Sequence, residues 1–87
     1  MQPSNQYKKL DSSKAIQAIK SLADKWPSTV VAREEIAKFS GGLLKAGTAA
    51  NLDSAGIGIP GAFRHGRKIA YPVDSAIEFF IARIEEA

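Results

Sequence analysis

The chain has 87 residues, a length that supports one modest hydrophobic core and not two. A hydrophobic content of 45% and a charged content of 24% are those of an ordinary globular chain, and no segment reaches the length of a membrane span. Cysteine is absent, which excludes disulfides and thiolate metal sites, and a net charge of +3 permits an acidic partner without demanding one.

Residues 1–10 are polar and read as a flexible tail, followed by one domain over 11–87. The opening "MQPSNQYKKLDSS" holds no apolar leader-like run, so a cytoplasmic protein is the expectation. In "DSSKAIQAIKSLADKW", Asp11, Ser12 and Ser13 offer oxygens to the free N–H groups of a helix start. Ala15, Ile16, Ile19, Leu22, Ala23 and Trp26 then recur at three- and four-residue spacing, predicting a helix near 12–26 that Pro27 ends. Trp26 falls on that stripe and reads as a packing residue rather than a platform for bases.

"STVVAREEIAKFSGG" reads as a short extended lead-in and a helix near 33–40, with Ile36, Ala37 and Phe39 or Ser40 inward and Gly41–Gly42 as its stop. "LLKAGTAANLDSAG" predicts a second short helix over 45–54, anchored by Leu43 or Leu44, turned inward at Leu52 and Ala55, and closed by Gly56. Gly47 weakens that helix by about 1 kcal/mol relative to alanine. Two short helices about a glycine turn make a helix-turn-helix corner, a pattern many small helical domains share.

"GIGIPGAFRHGRKIAYP" cannot be helical, because Gly58, Pro60 and Gly61 forbid it, and it reads as a β-hairpin over 62–71. Pairing Phe63 with Ile69 puts Phe63, Ile69 and Tyr71 on the core face and Arg64, Lys68 and Ala70 outside. A two-residue His65–Gly66 turn would instead pair Arg64 with Arg67 and Phe63 with Lys68. The first register is favoured for the apolar area it buries. "PVDSAIEFFIARIEEA" predicts a helix over 73–85 with a stripe of Val73, Ala76, Ile77, Phe80, Ile81 and Ile84. Phe79 sits at the edge of that stripe, placed to pack on the first helix or at a dimer contact.

Charge is polarised along this order. Residues 41–72 hold Lys45, Arg64, Arg67 and Lys68 against Asp53 alone, whereas from Val73 onward Asp74, Glu78, Glu85 and Glu86 face only Arg83. Arg64, His65, Arg67 and Lys68 crowd the hairpin, where phosphates would reward them through charge-assisted bonds and counterion release. The plainer reading is an edge hairpin made basic against strand pairing. "GIGIPG" matches a dinucleotide-binding glycine string, but a hairpin follows it where a helix is needed. One histidine without neighbouring carboxylates offers no metal site, and no nucleophile has a base with an orienting acid. No enzyme, metal or cofactor is expected.

The fold class is therefore mainly α with a small β-hairpin, in the order of a winged helix-turn-helix, with the 11–26 helix as an addition. Residues 30–81 resemble the excisionase and MerR-type DNA-binding modules of phages and mobile elements. The resemblance rests on "REEIAKFSGG", "TAANLDSAGIGIP", the "RHGRKIAYP" wing and the helix opened by Val73–Asp74. It implies that the second helix enters the major groove and the wing lies on the backbone or minor groove of double-stranded DNA. Carried onto this chain, it points to Lys45, Thr48 and Asn51 on the helix and to Arg64, His65, Arg67 and Lys68 on the wing. Asparagine pairs bidentately with adenine and threonine meets a base edge or thymine methyl, although both residue types also cap helices and turns. The implied role is sequence-specific DNA binding as a recombination directionality factor or a transcriptional regulator. The small footprint of a lone module of this size adds the expectation of a dimer or an assembly on tandem or inverted half-sites. The rival role is a protein-interaction module whose acidic, apolar last helix docks an integrase or a component of the transcription machinery.

Overall fold

The computed structural model describes residues 12–85, so the expected tail at 1–10 lies outside the described residues. Among these, four helices and three strands follow in the order α1 (Ser12–Asp24), β1 (Val30–Ala32), a 3-10 turn (Arg33–Glu35) running into α2 (Ile36–Phe39), α3 (Ala46–Ser54), β2 (Phe63–His65), β3 (Lys68–Pro72) and α4 (Val73–Ala82). The domain is mainly helical with one small antiparallel sheet. None of these helices is long and apolar enough to cross a membrane.

Helix α1 stops two residues short of the expected Trp26. A residue before proline is steered out of helical geometry, and Trp26 precedes Pro27. The N–H groups of Lys25 and Trp26 reach back only three residues, to Leu22 and Ala23 at 3.3 and 3.2 Å. Trp26 then serves packing, its ring meeting Phe39 edge-on at 5.4 Å while Nε1 donates to the Val30 carbonyl at 2.9 Å. The expected helix over 33–40 divides into the 3-10 turn and the short α2.

Both α2 and α3 close on glycine in the same way. Gly41 and Gly56 take φ of +66° and +79°, which lets the next N–H fold back over the helix end. Gly42 N–H donates to Ala37 at 2.8 Å and Ile57 N–H to Leu52 at 3.0 Å, satisfying carbonyls that a helix end leaves open. Between the helices, Ser40 is buried and its Oγ accepts from the Leu44 N–H at 3.1 Å. That bond turns Leu44 into the core and leaves Leu43 63% exposed, deciding which leucine is the anchor. On α3, Ala49 is buried and Leu52 and Asp53 are half-buried, whereas Ala55, expected inward, is exposed. Helix α3 starts at Ala46, because Lys45 is an extended N-cap residue.

The sheet order is β1-β3-β2, so the extended lead-in becomes a paired edge strand. Val31 faces Tyr71, and both are fully buried. The hairpin adopts neither expected register. Phe63 pairs with Ala70, Arg64 with Ile69 and His65 with Lys68, leaving Gly66–Arg67 as the two-residue turn. Gly66 takes φ of +65° at the first turn position while Arg67 stays at negative φ, the pattern of a type II′ hairpin. Arg64 thus shares the face of Ile69 and Tyr71, and Phe63 lies on the other face, 42% exposed. Burial could not decide the register because β2 runs past the core and all three of its residues are exposed.

Helix α4 ends at Ala82 rather than 85, and its stripe is spent inside the domain: Val73, Ala76, Ile77, Phe79 and Phe80 are buried. It packs against α1, and Phe79 lies with Ala15 and Ile19 of α1 along one groove while the Arg83 guanidinium covers its ring at 4.2 Å. Phe80, Tyr71 and their neighbours share one core, with Ile69 packed on its edge and Phe63 outside it.

Candidate nucleic-acid interface

Strand β3, at the base of the hairpin, and α3 are joined through a carboxylate at an inward position of α3. Asp53 Oδ2 accepts from Arg33 Nη2 at 2.6 Å and from the Tyr71 hydroxyl at 2.7 Å, while Arg33 Nε donates to that hydroxyl at 3.0 Å. The three residues come from the 3-10 turn, α3 and β3. The hydrogen bond to Tyr71 and then that to Asp53 raise the Arg33 pKa above its ordinary value, keeping the guanidinium charged. Burial pushes the Tyr71 phenol up; the Arg33 hydrogen bond pulls it down and the Asp53 bond reinforces the rise. Gly58 closes the arrangement, since a Cβ there would stand 1.9 Å from Asp53 Oδ1.

The expected site residues are all exposed: Lys45 at the start of α3, Thr48 and Asn51 along it, and Arg64, His65, Arg67 and Lys68 on the hairpin. Arg67 and Lys68 come together with Arg33, Glu34 and Ala46 around a cleft of about 190 Å³, so the hairpin tip abuts the start of α3. Lys68 Nζ donates to Glu34 at 2.5 Å, an exposed pair that holds the hairpin only weakly. The side chains of Arg64, His65 and Arg67 have no hydrogen-bond or ion-pair partner among the described residues. Arg64 borders a second cleft of about 430 Å³ with Arg33, Asp53 and the Gly58–Ala62 loop.

Thr48 does not join this group. Though exposed, it lines an apolar groove of about 520 Å³ with Leu43, Leu44, Leu52 and the end of α4. The outward face of α3 is left with Gly47, Ala50, Asn51 and Ser54, small and uncharged side chains that allow another surface close approach. No cluster of three metal-binding side chains occurs among the described residues.

The Arg33–Asp53–Tyr71 arrangement escaped the sequence reading, yet it left a signal. Asp53 falls in phase with Ala46 and Ala49 on the inward side of α3, and a half-buried carboxylate requires a partner. Compared with protein-family models, curated proteins and solved structures, the chain matches none.

Proposed function

We propose that the protein binds double-stranded DNA as a small winged helix-turn-helix module, acting as a recombination directionality factor or a transcriptional regulator. The observation that carries this reading is the unpartnered set Arg64, His65 and Arg67 on a hairpin tip that abuts the start of α3. Arginines without acidic partners at a protruding tip favour a phosphate backbone. The order helix, strand, two helices and hairpin, with β3 central in the sheet, supports the winged-helix assignment. In this reading α3 lies in the major groove with Asn51 toward base edges, and the hairpin follows the backbone.

A mobility shift with duplex fragments over a salt series tests it. If about three to five phosphates are neutralised, log K falls with log salt at a slope of about −3 to −4.5. Affinity that stays flat as salt rises would instead favour protein docking, for which the 520 Å³ groove between α1, α3 and α4 is the open apolar surface, the stripe of α4 being buried.

A further inference from the structure

Asp53 touches three elements at once. Arg33 reaches it from the 3-10 turn, Tyr71 from β3, and the loop after α3 passes so close at Gly58 that no side chain fits. Asp53's own helix α3 and one of those elements, β3, carry the separate groups of DNA-facing side chains: Asn51 on α3, and Arg67 and Lys68 at the tip that β3 supports. Strand β3 itself is fixed to β1 by its ladder and to the core by the Tyr71 ring. Between α3 and the hairpin there are otherwise only the clefts at Ala46 and beside Asp53, and the outer end of the hairpin has the exposed Lys68–Glu34 pair.

We propose that Tyr71 is a positioning residue for DNA recognition, its hydroxyl on Asp53 holding α3 and the hairpin at one angle so that both engage one duplex together. The inference rests on the DNA-binding reading above. Two contact sets on a rigid frame bind as a linked pair, the first contact raising the effective concentration of the second. Loosening the frame removes that linkage and leaves each set its own affinity. Phosphate contacts tolerate a range of angles, whereas a base contact by Asn51 does not. The hydroxyl is suited to this task because it both accepts and donates, so neither Arg33 nor Asp53 can turn away without breaking a bond to it.

The test uses a duplex selected by the protein from a random pool, and a scrambled duplex of equal length and composition. Tyr71→Phe keeps the buried ring and should keep the circular dichroism of the parent. Its affinity for the scrambled duplex should stay within about twofold, while its preference for the selected duplex falls about fivefold or more. On the selected duplex, Asn51→Ala and Arg67→Ala should interact in the parent and become additive in the Tyr71→Phe background, a change that mere loss of stability does not produce. Asp53→Ala, which removes the acceptor, should do the same from the other end of the bond. Equal losses on both duplexes, an unfolded Tyr71→Phe, or preference and coupling unchanged in both variants would each overturn the positioning role while leaving DNA binding standing. A parent that retains no duplex from the pool would overturn the DNA reading and this inference with it.

Discussion

The Tyr71 hydroxyl lies between a guanidinium and a carboxylate, with its ring fully buried against Val31. Burial first, and the Asp53 hydrogen bond second, raise its pKa above the usual value near 10, against the pull of Arg33. Above that usual value the unfolded chain has lost a proton that the folded chain still holds. The stability this group confers is therefore complete below about pH 10 and is lost as pH rises through the raised folded value. Comparing denaturation midpoints of the parent and Tyr71→Phe from about pH 8 to about pH 11 isolates the effect, since other titrating groups are common to both. The parent's advantage should shrink as pH rises, and a constant difference would refute the assignment. At this scale the sequence was least legible. Asp53 stands out as the lone acid in a basic stretch, but its partners lie 20 positions back and 18 ahead, a proximity no local pattern encodes.

Helices were read from periodicity, and α1, α3 and α4 occupy the expected segments because each buries one stripe on a common core. Their ends shifted by one to three residues where local chemistry outranked periodicity: Pro27 cut α1, and the extended Lys45 delayed α3. The hairpin was legible as an element and illegible in register. Phe63 looks like a core residue by type, yet β2 is an outer strand beyond the core, so Gly66 rather than apolar burial set the pairing. Helix α4 offers the strongest check on the packing. Phe80 meets Phe79 edge-on at 5.6 Å inside the core, and Phe80→Ala should cost about 3 to 5 kcal/mol. In a domain of this size that lowers the melting temperature by about 15 °C or more. Melting within a degree or two of the parent would show that the groove beside Phe80 collapses to fill the space.

For the molecule as a whole, a mainly helical domain with a small hairpin was legible from the order of elements, while the proposed function rests on two surfaces sharing one partner. The proposed division of labour gives α3 the base contact and the hairpin the phosphates. Arg67→Ala should weaken binding to all duplexes by a similar factor and make the salt slope shallower by about one unit. Asn51→Ala should spare non-specific binding and lose about 1 to 3 kcal/mol of preference at one position of a selected site. Competition binding on single-base variants of that site reads both outcomes, and altered sequence preference in Arg67→Ala alone would make the hairpin the reader. The sheet order carries one more consequence, for synthesis. β1 emerges early but pairs only with β3, and Arg33 must wait for Tyr71, 38 residues later. At about 5 to 20 residues per second, the ribosome leaves that strand edge and its cationic neighbour without their partners for about two to eight seconds. Until then the α2–α3 corner is a nascent chain with an open edge, and the last strand to leave the ribosome is the one that closes the sheet.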